Sequence, residues 1–144
     1  MTEDQRLRIV RRFIEEGWNS GSGTPVGDIV ADGYESYDSA FFVFHGDSRG
    51  PHRMRGAEAV TSHIAQYHEI YDNLTFTIER MTVDGDTVTT VWAPTGTTRK
   101  ETFTDRAGRE RPYELKDVGV SRTAVVDGKV TRHDLFWARD PLFP

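Results

Sequence analysis

Three polar side chains stand where an alternating pattern calls for apolar ones. In Arg111–Val126, read as one long strand, Tyr113, Leu115, Gly119 and Val125 hold odd positions and Asp117 falls among them, although Val118 and Val120 blur the contrast. In Lys129–Trp137, Thr131, His133, Leu135 and Trp137 share one face while Arg132 and Asp134 take the other. Upstream, the even positions of a strand from Tyr34 to His45 are Tyr34, Ser36, Asp38, Phe42 and Phe44. Burying an unpaired polar group costs roughly 1–3 kcal/mol, so inward Asp38, Asp117 and His133 need either a hydrogen-bonded partner or a chemical use. A carboxylate and an imidazole in one low-dielectric pocket perturb each other's protonation, which is the requirement of general acid–base chemistry. A structural Asp–His pair satisfies the same pattern, and Asp38 also suits a strand end or turn. Because one β-bulge inverts strand parity, the pattern leaves open whether Asp117 or Asp134 points inward.

Other chemistries find no support. No Gly-rich phosphate loop, nucleophile elbow or His-Glu-x-x-His motif occurs. His63 and His68 are five residues apart and do not share a helical face, and His45 with His52 flanks a glycine-bearing loop, so no metal is expected. No cofactor is expected either. With 23 acidic against 18 basic residues the net charge is −5, without a basic stripe for nucleic acid, and Arg106–Arg111 reads as a solvated loop. No apolar run approaches the ~18 residues of a membrane span, and Met1–Val10 is too charged for a signal peptide. The absence of cysteine excludes disulfides and thiolate sites but leaves the compartment open. A soluble, cytoplasmic, single domain over residues 1–144 is expected, its 36% hydrophobic share being enough for a core.

The elements that must position these residues follow from periodicity. Thr2 and Gln5 have capping-box spacing, and Leu7, Val10, Ile14 and Trp18 then recur at helical steps until Gly21-Ser22-Gly23. A short helix is expected at Pro25–Ala31 with Thr24 as N-cap, ended by Gly33. After the strand Tyr34–His45 and a polar loop Gly46–Gly56, a third helix spans Ala57–Tyr71 with Val60, Ile64, Tyr67 and Tyr71 on one side. The period then changes to two at Leu74, Phe76 and Ile78. Asp84-Gly85-Asp86 turns the chain into Thr87–Thr97, a charged loop follows at 105–110, and Asp127-Gly128 joins the last two strands. Helices gathered early and strands late predict an α+β fold in which three helices of the N-terminal half cover one face of a curved antiparallel sheet and enclose a pocket.

This order, with several local motifs, resembles the SnoaL-like branch of the nuclear-transport-factor-2-like superfamily. The motifs are Phe13-Ile14-Glu15-Glu16-Gly17-Trp18-Asn19-Ser20-Gly21, Ala31-Asp32-Gly33-Tyr34, Tyr71-Asp72-Asn73-Leu74-Thr75-Phe76, Gly85-Asp86-Thr87-Val88, Thr95-Gly96-Thr97 and Val126-Asp127-Gly128-Lys129-Val130. The resemblance implies a cone-shaped α+β barrel, a homodimer packed through the outer sheet face, and a small apolar or aromatic polyketide-like substrate. Relatives include cofactor-free polyketide cyclases, ketosteroid isomerases, dehydratases and epoxide hydrolases, so fold alone does not fix function.

Carried over residue by residue, the resemblance is incomplete. The acid/base Asp of the cyclases lies seven residues after the turn glycine, which here is Leu135. Their polar pair on the preceding strand falls at Gly119 and Ser121, and their first-strand Asn near Ser36. The Arg and Asp of the epoxide hydrolases fall near Trp92 and Pro94. The first-strand base of the isomerases has a counterpart in Asp38. The expectation is a cyclase or isomerase in which Asp38 or Asp117 removes a proton beside a carbonyl and His133 supports the developing enolate oxygen, with Tyr34, Ser36, Trp92, Trp18 and Ser121 shaping the substrate pocket. Water addition or removal in the same pocket, and a non-catalytic small-molecule-binding dimer, are the alternatives.

Overall fold

A computed structural model describes residues 1–40 and 52–138 of the chain. Phe42, Phe44 and His45 of the expected first strand, and most of the polar loop after it, lie outside the described residues.

Helix α1 (Glu3–Arg12) opens with the expected reciprocal cap. The Gln5 backbone N–H donates to Thr2 Oγ1 at 3.1 Å, and the Thr2 N–H donates to Gln5 Oε1 at 2.8 Å. The helix does not run on regularly to Gly21. It widens into a π-helical turn at Phe13–Gly17 and tightens into a 3-10 turn at Trp18–Ser20, closed by Gly21 at φ 83°. Phe13, Ile14 and Trp18 of this segment are all buried. The expected α-helix at Pro25–Ala31 is instead a 3-10 helix at Thr24–Ile29, and strand β1 (Val30–Asp38) has already begun before Gly33. Pro25 and Gly27 within six residues leave too few helix formers to propagate an α-helix.

The remaining elements are β2 (His52–Arg55), α2 (Glu58–Ile70), β3 (Tyr71–Asp84), β4 (Thr87–Thr104), β5 (Glu110–Glu114), β6 (Gly119–Val126) and β7 (Lys129–Trp137). The strands form one sheet in the order β2-β1-β7-β6-β4-β3, with β5 paired to β4. It curls into a half-barrel that carries the helices, an α+β arrangement. Two expectations are corrected. The sheet is mixed, because β1 runs parallel to β7. Arg111–Val126 is not one strand: residues 115–118 break it, and the Leu115 N–H donates to Gly96 O across the break at 3.0 Å.

Register sorts the inner face of the sheet into three rows. Val88, Thr123, His133 and Ser36 are successive partners across β4, β6, β7 and β1. Thr90, Ser121, Leu135 and Asp38 form the next row, and Trp92, Gly119 and Trp137 the third. The first two rows are buried throughout. Neighbouring members lie about 4.8 Å apart in the pairing direction, so side chains of one row meet. The third row depends on Gly119, where an added Cβ would stand 2.2 Å from the Trp92 ring; the indole lies across the glycine.

Candidate active site

Asp38 ends β1 on the inner face and is fully buried. Its Oδ1 accepts the Ala40 N–H at 2.8 Å, a local turn that fixes the carboxylate. Its Oδ2 meets two residues one turn apart on α2, His63 Nε2 at 2.7 Å and the Tyr67 hydroxyl, which donates at 2.7 Å. Trp137 Nε1 donates in turn to Tyr67 Oη at 3.0 Å. Burial first, and then the neighbouring Asp38 charge, push the Tyr67 phenol well above its ordinary range, so it stays protonated and donates. Asp38 thus has the partners a buried carboxylate requires, the backbone just after β1 and two side chains of α2.

His133 occupies the adjacent row. Its Nδ1 lies 2.9 Å from Thr123 Oγ1, and its backbone oxygen accepts from Ser36 Oγ at 2.7 Å. Burial, reinforced by His63, lowers its pKa to about 3, so the imidazole is neutral at any working pH. With Nδ1 engaged by Thr123, Nε2 is the nitrogen left for a ligand. Phe13 packs edge-on against the ring at 5.0 Å between centroids. Trp18 links the two polar groups, meeting His63 edge-on at 4.7 Å and His133 at 5.9 Å.

Beside His133 and Trp18 lies a small cavity lined by Ile14, Trp18, Phe76, Trp92, Ser121, His133 and Leu135; Asp38 and His63 are not among its lining residues. Space for the centre of a water-sized sphere amounts to about 10 Å³, room for one oxygen-sized group. The hydroxyls of Thr90 and Ser121 and the Trp18 Nε1–H are buried and have no hydrogen-bond partner among the described residues. Asn19 secures the far wall, donating to Phe76 O at 3.0 Å and accepting from the Phe76 N–H at 2.7 Å.

A family model of the SnoaL-like domain matches residues 10–133. The chain belongs to the SnoaL-like domain family. No curated protein matches it. Among solved structures it is similar to a protein provisionally named a SnoaL-like polyketide cyclase from Jannaschia sp. CCS1, with 22% identity, TM-score 0.66, and coverage of 93% of this chain and 85% of that one. An NTF2-like protein from Burkholderia xenovorans LB400 gives 19% identity, TM-score 0.70, and coverage of 94% and 91%. A hypothetical protein with a ketosteroid isomerase-like fold from Catenulispora acidiphila DSM 44928, in complex with trimethylamine, gives 17% identity, TM-score 0.69, and coverage of 93% and 88%.

In this SnoaL-like domain the residues singled out from sequence divide into groups. His133, Trp18, Trp92 and Ser121 line the cavity. Asp38 stands one row-neighbour from Leu135, and Ser36 supports the His133 backbone. Tyr34 is buried against Phe13, and burial raises its phenol pKa. Asp117 is not among the residues that line this cavity; it lies half-buried in the 115–118 connection between β5 and β6. Asp134 is on the outer face, paired with Arg132 Nε at 2.8 Å. His63, Tyr67 and Thr123 are the residues that alternation did not single out. For the first two a signal was present, since they lie four apart on the apolar stripe of α2 with Val60 and Ile64.

Proposed function

We propose that the protein is a cofactor-free acid–base enzyme of the cyclase/isomerase type. In this reading it moves a proton beside a carbonyl of a small, largely apolar, polyketide-like substrate of secondary metabolism. The observation that carries the reading is the placement of Asp38. The acid position of the cyclases falls at Leu135, and the residue beside Leu135 in the same inner row is a carboxylate bound to an imidazole.

The Asp38–His63 pair would accept the proton as one unit, the carboxylate stabilising the imidazolium as charge develops. His133, neutral and oriented by Thr123, would hydrogen-bond the enolate oxygen; with the Thr123 hydroxyl donating to Nδ1, the Nε2–H is the donor. Return of the proton to a different atom completes an isomerisation, and attack of the enolate on a second carbonyl completes a ring closure. Trp18, Phe76 and Trp92 supply the apolar walls. The size of the cavity favours one second reading, addition or removal of water, because it admits a single oxygen-sized group. Product mass separates that reading from isomerisation.

The test does not require the natural substrate. In D2O, the wild type is expected to exchange the hydrogens next to the carbonyl of a bicyclic aryl ketone. Asp38→Asn should slow this exchange by about 10²–10⁴-fold, the usual share of a general base. Exchange within threefold of wild type in both Asp38→Asn and His133→Ala would end the proposal, and stoichiometric binding without any exchange would favour the non-catalytic module. As part of the same reading, the protein acts in the cytoplasm as a homodimer through the outer sheet face, where Phe136 and the adjoining Val118 are 39% and 46% exposed and Tyr37 packs on Phe136. No helix among the described residues is long and apolar enough to cross a membrane.

A further inference from the structure

The outer face of the sheet carries, at its β2 edge, a charge opposite to that of the whole chain. Tyr34 and Ser36 of β1 are buried on the inner side, which turns Glu35 and Tyr37 outward. Glu35 is the register partner of Arg55 on β2 and of Arg132 on β7, and Tyr37 is the partner of Arg53. Glu35 thereby holds an arginine on either side, with Arg55 Nε 3.3 Å from Oε1 and Arg132 Nη1 3.6 Å from Oε2. Asp134 holds Arg132 a second time, through Nε at 2.8 Å. Arg53 lies over the Tyr37 ring, 5.5 Å from its centroid, and makes no ion pair with a described residue. Its guanidinium is thus positioned by the ring while its charge stays uncompensated.

Arg53, Arg55, Arg132 and Glu35, with Ser36 and Met54, line a groove of about 320 Å³. Three guanidinium groups against one carboxylate give the lining a charge of +2, in a chain of net charge −5. Asp134 does not cancel that balance, because Arg122 faces it in the β6 register. Arg53 and Arg55 share one side of β2 at a spacing of about 7 Å, so their mutual repulsion is relieved only by an anion between them.

We propose that this groove binds the phosphate group of a phosphate monoester. Near neutral pH that group carries about two negative charges and three strong acceptor oxygens, which match the lining in charge and in number of guanidinium forks. A monocarboxylate would leave one positive charge unmatched. A polyanion such as nucleic acid would extend beyond the groove and meet the −7 carried by the rest of the chain. None of the three arginines belongs to the acid–base site, and Val118, Phe136 and Tyr37 of the proposed dimer face do not line the groove. The site therefore stands apart from both readings.

The test is calorimetric titration of the full chain in dilute, phosphate-free buffer at pH 8. Phenyl phosphate is compared with benzenesulfonate, which keeps the ring and a tetrahedral head but has one negative charge. The wild type should bind phenyl phosphate about threefold more tightly or better, the effect of one further charge near solvent-exposed cations. Arg53→Gln and Arg55→Gln should each weaken phenyl phosphate binding roughly three- to tenfold, with the melting temperature unchanged. Equal binding of the two probes overturns the proposal, as does failure to bind phenyl phosphate at millimolar concentration. Unchanged affinity in both variants also overturns it and leaves the arginines as charges that keep the β2 edge from pairing with another strand. Inorganic phosphate binding as tightly as phenyl phosphate would overturn the ester and assign the groove to the free ion.

Discussion

His133 makes the acid response of this protein calculable. Its pKa is lowered from an ordinary 6.5 to about 3, by burial first and by His63 second. In the unfolded chain the same imidazole takes up a proton near pH 6.5, whereas in the folded protein it does not until about pH 3. The unfolded state therefore binds more protons throughout that window, and stability is full above pH 6.5 and lost as the pH falls through it. The slope is about 1.4 kcal/mol per pH unit, so His133 alone removes about 2 kcal/mol by pH 5 and between 4 and 5 kcal/mol by pH 3. His133→Asn retains a polar atom for Thr123 Oγ1 and removes the titration. At pH 7.5 the variant is expected to be less stable by about 1–2 kcal/mol from altered packing. On acidification that deficit should shrink by about 2 kcal/mol between pH 7.5 and pH 5, so that the two stability curves meet or cross. Urea unfolding followed by tryptophan fluorescence at several pH values measures both curves. Taking the difference cancels most of what the rest of the protein contributes. Parallel curves for wild type and variant would refute the assignment of a neutral, desolvated His133.

Gly119→Ala should destabilise the fold by about 1–3 kcal/mol or more in chemical unfolding, because the new methyl group meets the Trp92 ring and forces the indole toward the cavity. Tyr67→Phe removes the donor to Asp38 Oδ2 and the acceptor of Trp137 Nε1. A cost of about 1–3 kcal/mol is expected in urea unfolding. The proposed homodimer predicts that the wild type elutes as a dimer in light scattering after size exclusion and that Phe136→Lys, on the outer sheet face, elutes as a monomer; a monomeric wild type would refute it.

Local physics made the element types legible. The Thr2–Gln5 cap, the alternation from Thr131 to Trp137 and the apolar stripe of α2 are each written in a few adjacent residues, and all appear in the structure. Parity in β7 points His133 inward, as the structure has it, but leaves open whether Asp117 or Asp134 faces inward, and it is the register that puts Asp134 on the outer face. Failures arose where a local pattern is overridden from a distance. The run Pro112–Val126 reads as one strand on paper, but Leu115 is tied to Gly96 and the strand is interrupted at residues 115–118, the connection that carries Asp117. Regular helical spacing at Leu7–Trp18 conceals a π-helical turn. The parallel pairing of β1 with β7 joins residues almost a hundred positions apart, and no periodicity within either strand reports it. The partners of Asp38 are hidden for the same reason: His63 and Tyr67 are visible as polar interruptions of an apolar face, but which strand they meet is a property of the assembled fold.

The position of Asp38 also accounts for the leucine at 135. The two residues are direct register partners on β1 and β7, so carboxylates at both would stand about 4.8 Å apart at the backbone in a dry interior. Like charges at that distance cannot both ionise, and one would be held protonated and lost as a base. Asp38 already has Ala40, His63 and Tyr67 as partners, whereas the side chain at 135 faces the aromatic cavity and Ser121. A carboxylate is therefore retained on the strand where α2 supplies hydrogen bonds, and an apolar residue occupies the strand where a substrate ring would rest. The same inner row keeps its acid and its floor, exchanged between neighbouring strands. In the proposed acid–base reading the direction of proton removal would turn with them, from the sheet side toward the side of α2, and candidate substrates are those whose acidic carbon can lie toward Asp38 and His63.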